Sequence, residues 1–440
     1  MFLITLAIYY IIVYNIFLKK GVEFTLSKMT AVKNILRLFK RKFMKRLGDI
    51  RRSFWYYHLW PHYYKKYSKQ PIDEKKVVLA YSSLYKTLPD NLRCIKEELE
   101  GRGYNCVIVN RGEGDNRYKN KILNELAKFI DCEFFFKEFG NCRALFLVDY
   151  YFPAFANKPR EGQDIVQLWH ACGAFKMWGY STVDKKWGAN KSSLDKFPVH
   201  NTYTNVCVSS PKVSFAYAEA FNCDEKTVKP LGTPRTDVYF DPDFVKSGRD
   251  TLNQLCPGIE GKKVILYAPT FRGNSLRNSY MRNTLDLDAL YDNLHEDYAF
   301  VMKLHPLTAK AFKLTEEQQE KYSGFLYDVS HSANIDTALC AADIVISDYS
   351  SLIFEYSLLE RPMMFYAYDL EKYENDRSFY FDYRSFVPGE IVEDTEGIIN
   401  EVKRLETEFD KQRIINFKND FMSACDGNST KRICDYIFNN

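Results

Sequence analysis

Residues 343–359 read DIVISDYSSLIFEYSLL. The run Asp343-Ile344-Val345-Ile346 is short, β-branched and apolar, which fits a strand buried on both faces of a parallel sheet. Asp348-Tyr349-Ser350-Ser351 makes a polar turn, and Leu352 onward is a helical run. A strand that feeds a helix through a short turn is the repeating unit of an α/β sheet.

The same alternation extends outward in two blocks. VVLAYSS (77–83), CVIVN (106–110), ALFLVDYYF (144–152), DIVQLWH (164–170) and NVCVSS (205–210) form the first. KVILYAPTF (263–271), YAFVMKLH (298–305), GFLYDV (324–329), the opening stretch and MMFYAY (363–368) form the second. Residues 90–102 and 118–130 carry apolar side chains at helical spacing. KPLGTPRTD (229–237) and a polar stretch at 241–261 separate the blocks. The pattern predicts two Rossmann-like domains facing a cleft, at 71–250 and 251–440, the latter with C-terminal helices interrupted at Gly427-Asn428.

Composition supports a globular chain. Of 440 residues, 46% are hydrophobic and 27% charged, which excludes disordered and collagen-like classes. The 11 cysteines contain no Cys-x-x-Cys pair, against zinc ribbons and thioredoxin chemistry. They read as reduced core residues.

Charge is concentrated near the start. Residues 19–66 hold fourteen Lys/Arg against Glu23 and Asp49, a balance of +12 that leaves −8 for the rest of a chain whose net charge is +4. Residues 1–18, MFLITLAIYYIIVYNIFL, are apolar and at the short end of what spans a bilayer. Segment 1–20 therefore reads as a membrane-inserted helix with Lys19 and Lys20 on its cytoplasmic side, or as an over-extended start with Met29 as an alternative beginning. Segment 21–70 reads as basic amphipathic helices on an anionic membrane surface, with the aromatic run 54–60 at the interface. An ordinary helix packed on the body is the competing reading. The acidic remainder argues against nucleic acid as partner.

Ligands of such folds bind at the carboxyl ends of strands. Those ends carry His170, Arg235 with Asp237, Thr270 with Arg272, Lys303 with His305, and Asp348 with Ser350 and Ser351. A histidine at a strand end before a Gly-containing turn suits a general base, or caps the turn. Lys303 and His305 suit a phosphate or pyrophosphate. Ser350 and Ser351 open a helix, where free N–H groups favour a phosphate or where serine serves as a cap. Glu355 is placed to accept from a ribose, or is a surface acid. Lys176 follows the His170 turn. Asp369, Arg377 and Asp382 lie in 369–392, which either closes over a ligand or forms a structural hairpin. Walker, dinucleotide, hydrolase-elbow and kinase motifs are missing, which favours a nucleotide-donor transferase.

The motifs LWHACGAFKMWG, LGTPRTD, YAPTFR, KLHPL, SDYSSLIFEYSLLERP and YDLEKYENDRSFYFDYRSFVPGE resemble, in this order, those of CDP-glycerol glycerophosphotransferases of teichoic acid synthesis. The resemblance covers about residues 75–400. It implies a GT-B-type fold, with an acceptor domain at 71–250 and a CDP-donor domain at 251–440. It implies transfer of glycerol phosphate from CDP-glycerol to a hydroxyl of a membrane-linked, undecaprenyl-type glycan or polyol-phosphate acceptor. His170 corresponds to the family's base. His305, Ser350 and Ser351 correspond to donor-phosphate contacts, with Arg272 and Arg377 as helpers. Two positions depart from the pattern: Ala171 replaces a usual Gly, and Ser378 stands where an Arg-Gly pair is usual. CDP-ribitol as donor, or a sugar nucleotide in a GT-B glycosyltransferase, are the alternatives. No carboxylate cluster demands a divalent metal, which this chemistry nonetheless admits. The expected place of work is the cytoplasmic face of the cell membrane.

Overall fold

The computed structural model describes residues 26–82, 85–110, 120–185, 188–272, 284–305 and 314–439. Segment 1–20, read above as membrane-inserted, lies outside the described residues. The chain divides into two compact units, 1–59 and 60–440. In the first, the helix Leu26–Phe54 runs for 29 residues into a π-helical turn, Trp55–Leu59. Leu47, Ile50 and Phe54 recur at helical spacing and are exposed, as are Leu38 and Met44. Among the described residues no helix is long and apolar enough to cross a membrane.

Along the aromatic run 54–60, Phe54 and Tyr57 are each 49% exposed. Trp55 and Tyr56 are buried, and Trp60 is only 1% exposed. Trp60 opens the helix Trp60–Tyr67, which packs on the helix Lys121–Phe139. Its indole N–H donates to Cys132 Sγ at 3.0 Å. Tyr64 stacks on Phe139 at 5.1 Å and donates to Gln163 Oε1 at 2.7 Å. From Trp60 on, the end of the stretch read as membrane-associating thus packs within the second unit.

The second unit holds two parallel six-stranded sheets. The first contains β1 (Asp73–Ala80), β2 (Asn105–Val109), β3 (Cys142–Leu147), β4 (Asp164–Gln167), β5 (Asn205–Cys207) and β6 (Val228–Lys229), ordered β2-β1-β3-β4-β5-β6. The second contains β7 (Lys263–Tyr267), β8 (Tyr298–Met302), β9 (Leu326–Asp328), β10 (Ile344–Ser347), β11 (Met363–Tyr366) and β12 (Ile391–Val392), ordered β12-β11-β10-β7-β8-β9. Read from the other edge, the latter is the Rossmann order, so its switch point lies between β7 and β10. In the first sheet the chain reverses between β1 and β3. Continuous runs such as Val77-Val78-Leu79 and Val264-Ile265-Leu266 are buried because helices cover both faces.

The helix Pro242–Leu255 runs across the expected boundary at 250/251. The last helix, Ser429–Phe438, does not stay with the second sheet. Its Ile433, Cys434 and Ile437 join Val77, Leu79, Phe146 and Val166 in the core of the first.

A strap also ties the two sheets together. Segment 175–177 pairs antiparallel with 378–380: Met177 N–H donates to Ser378 O at 2.8 Å, and Tyr380 N–H to Phe175 O at 3.0 Å. Phe175 stacks on Phe379 and Phe386, each at 5.0 Å. Segment 369–392 is therefore neither a hairpin nor an unattached flap. It holds the short helices Leu370–Asp376 and Tyr383–Phe386, joined by an extended stretch docked on the first domain.

Candidate active site

The switch point of the second sheet opens into a cavity of about 460 Å³. The ends of β7 and β8 supply Ala268, Pro269, Lys303 and His305, and the turn after β10 supplies Ser350 and Ser351. Arg235, from the turn after β6, and Glu355 complete the wall. A larger cavity, about 640 Å³, is lined by Arg249, Asp343 and Arg361. It lies at the amino ends of β10 and β11, the wrong end of a parallel sheet for a ligand. Its arginines donate to the carbonyls of Ala341, Cys340 and Ala342.

Within the smaller cavity, Arg235 is held by two acids. Its guanidinium donates to Asp336 Oδ1 at 3.1 Å and to Glu355 Oε1. Glu355 is 2% exposed, and its Oε2 has no hydrogen-bond partner among the described residues. A buried carboxylate oxygen without a partner beside a cavity is an unpaired acceptor. Lys303 Nζ donates to Ser330 O at 2.8 Å, and burial lowers its pKa. Burial also lowers that of His305, with the charge of Lys176 adding to the effect. Lys176 itself is pushed down to about 8, chiefly by burial; Asp348 opposes this, while Arg377 and Arg272 reinforce it. Lys303 and Lys176 are thus desolvated cations where a bound anion would offset the cost of their burial.

His170 stands at the end of β4, at a solvent-reached position of the cleft. Its Nδ1 lies 3.3 Å from the carbonyl of Val148. A carbonyl only accepts, so this bond puts the proton on Nδ1 and leaves a lone pair on Nε2. Surrounding protein lowers the His170 pKa by desolvation; the charge of Asp149 opposes that, and Arg235 adds to it. The imidazole is therefore neutral near pH 7 and able to take a proton. Trp169, immediately before it, has φ +55, a conformation costing a bulky residue on the order of 1–3 kcal/mol. Its ring lies 4.2 Å from that of His170.

Several residues picked out in the sequence also have structural partners. Asp237 accepts from the backbone N–H of Ser429 at 2.9 Å and of Thr430 at 2.8 Å, capping the last helix. Arg272 pairs with Asp348 and Asp369, each at 2.8 Å, and lies against Tyr349, Tyr368 and Tyr373. Asp348 also accepts from Thr270 N–H at 2.8 Å. Asp382 caps the helix Tyr383–Phe386, and Ser385 bound to it lowers its pKa. Ser351 caps its six-residue helix without a side-chain bond, while Ser350 Oγ accepts from Leu352 N–H at 3.4 Å. The charge of Arg377 is felt at Lys176, outside the cavity wall. Sequence reading passed over Asn91, Asp149 and Asp336. A strand-end aspartate in LVDYY was the one visible signal; the other two look like ordinary helix-start residues.

Two parallel-sheet domains with a lysine-lined cavity at a switch point define a GT-B-type fold. Residues 62–439 match the family model described as CDP-Glycerol:Poly(glycerophosphate) glycerophosphotransferase, and the chain belongs to that family. It is 37% identical over 368 residues to the teichoic acid ribitol-phosphate primase of Bacillus spizizenii, covering 83% of this chain and 92% of the relative. It is 32% identical over 301 residues to the teichoic acid glycerol-phosphate primase of Bacillus subtilis, covering 68% and 74%. The solved wall teichoic acid polymerase TagF superposes with a TM-score of 0.68 at 24% identity, over 94% of this chain and 98% of that one. At that identity the likeness is one of fold.

Proposed function

We propose that the chain transfers polyol phosphate from a CDP-activated polyol to a hydroxyl of a membrane-linked glycan or polyol-phosphate chain, at the cytoplasmic face of the cell membrane. Family membership makes it a polyol-phosphate transferase of teichoic acid synthesis. What supports the finer reading is one juxtaposition: a neutral histidine with its lone pair on Nε2, in the same cleft as a cavity walled by Lys303, His305, Ser350 and Ser351.

In this mechanism the donor's pyrophosphate occupies that cavity, and Glu355 Oε2 accepts from a hydroxyl of its ribose. The acceptor hydroxyl attacks the β-phosphorus. As the new P–O bond forms, His170 Nε2 takes the hydroxyl proton and the bond to CMP breaks. Lys303 and Lys176 offset the charge on the departing CMP, and His305 donates a hydrogen bond to it. Such a reaction rests on positioning and electrostatics.

The glycerol donor follows the family description. A ribitol donor has its own support, the higher identity and wider coverage of the ribitol-phosphate primase. One TagF structure was soaked with CDPG, which fits a CDP-polyol in this fold. Membrane attachment is supported by the exposed apolar positions of the helix Leu26–Phe54 set among lysines and arginines.

The test is acceptor-dependent CMP release from CDP-glycerol and CDP-ribitol side by side, for the full chain and for His170→Ala. A fall of ~10²-fold or more in the variant is expected for the loss of a general base. Turnover of a UDP-sugar with neither CDP-polyol consumed refutes the donor class, and full activity of His170→Ala refutes the base. Sedimentation with anionic vesicles checks the membrane part.

A further inference from the structure

Two buried amides grip the residue that precedes His170. The left-handed backbone of Trp169 persists only if its surroundings fix it. Its N–H donates to Gln167 Oε1 at 2.9 Å, and its carbonyl accepts from Asn91 Nδ2 at 2.9 Å. Gln167 is 0% exposed and Asn91 3%, so water does not compete for either bond. Gln167 is in turn oriented by its Nε2, which donates to Tyr203 Oη at 2.7 Å and to Asp149 O at 3.3 Å.

Asn91 also uses its other end. Its Oδ1 accepts the backbone N–H of Arg235 at 2.9 Å. One side chain therefore joins the turn after β4 to the turn after β6, the first leading to His170 and the second carrying Arg235 on the cavity wall.

We infer that Asn91 is a positioning residue for the transfer, holding the Trp169–His170 peptide in its strained form at a fixed separation from the Arg235 wall. It acts through its neighbours. The Trp169 ring lies against the imidazole, so release of the Trp169 carbonyl lets both rings turn together. This inference rests on His170 being the base of the proposed reaction.

The chemistry of the amide supplies a discriminating variant. Asn91→Asp keeps the size and the acceptor for Arg235 N–H, but sets a carboxylate against the Trp169 carbonyl in place of a donor. In CMP-release kinetics we expect kcat to fall ~10–100-fold, the loss typical of a misplaced catalytic group. The KM for the CDP-polyol stays within about threefold, because the cavity walls formed by β7, β8 and β10 are untouched. Asn91→Ala, which removes both bonds, shows the same fall in kcat, with any rise in KM reporting the freed Arg235 wall, and serves if the aspartate variant folds poorly. Imidazole ¹⁵N NMR of the ligand-free chain, with the His170 signals assigned by their loss in His170→Ala, shows the Nδ1–H tautomer in the wild type and a mixture in Asn91→Asp.

The inference is overturned if both variants keep kcat within twofold of wild type, if any kcat loss matches the loss of folded protein by thermal melting, or if the His170 ¹⁵N signals are unchanged. A wild type that turns over no CDP-polyol sinks the functional reading instead, while the NMR comparison still decides the clamp.

Discussion

Replacing Gly173 by alanine tests how tightly the two sheets are pressed together at the cleft. Gly173 has φ +63, and a Cβ there would sit 2.3–2.4 Å from three atoms of the Phe354 ring. That ring cannot swing aside: it is fully buried, stacked on Phe417 at 5.4 Å and edge-on to Phe386 and Phe421. The left-handed backbone costs alanine ~1–2 kcal/mol, and the overpacking ~1–3 kcal/mol. Together they predict a loss of about 2–5 kcal/mol. For a cooperative unit spanning residues 60–440, an unfolding entropy of about 0.8 kcal/mol per kelvin converts this into a fall in Tm of roughly 3–6 °C. Calorimetry measures it directly. A double-mutant cycle separates the two parts. In a Phe354→Ala background, itself ~3–5 kcal/mol less stable, adding Gly173→Ala should cost only the backbone share of ~1–2 kcal/mol. An undiminished cost in that background, or a Gly173→Ala chain melting within a degree of wild type, refutes the close approach of Phe354 as the reason for glycine.

Three further outcomes follow from the same geometry. Asp237→Ala uncaps the last helix and lowers stability by about 1 kcal/mol in urea titration, with kcat and KM unmoved; a tenfold drop in kcat/KM would return Asp237 to the substrate. Arg272→Met strands Asp348, which is 2% exposed, and should cost roughly 3–5 kcal/mol by denaturant midpoint, partly restored by Asp348→Asn; unchanged stability would contradict the ion-pair role. The acid limb of kcat/KM should fall below pH 6.5, since burial lowers the His170 pKa and activity needs the neutral ring; a limb above 6.5 would mean that the Asp149 charge outweighs desolvation.

Much of the fold was legible because buried parallel strands are local signals. Ten apolar runs marked ten of the twelve strands. The two overlooked, β6 and β12, are two residues each and lie at sheet edges, too short for any period to register. The site was legible in place but not in detail. Arg235 and Arg272 look alike in sequence, each just past a strand or turn. Only the folded chain shows that Arg272 is enclosed by two aspartates and three tyrosines, whereas Arg235 reaches the cavity. Asp237 looked like chemistry because its true partner, the start of the last helix, lies almost two hundred residues further on. The burial of Trp60 was hidden for the same reason: its partner, Cys132, is a non-local one.

The return of the helix Ser429–Phe438 to the first sheet has a consequence for synthesis on the ribosome. The apolar floor formed by Val77, Leu79 and Phe146 is translated well before Ile433 and Ile437, which cover it. Domains ordinarily fold one after another as they emerge. Here the earlier-made domain has to wait with an open groove until the whole second sheet has been made. A nascent chain stalled before residue 429 would present that groove to chaperones, and a nick between the sheets would leave two fragments still interlocked.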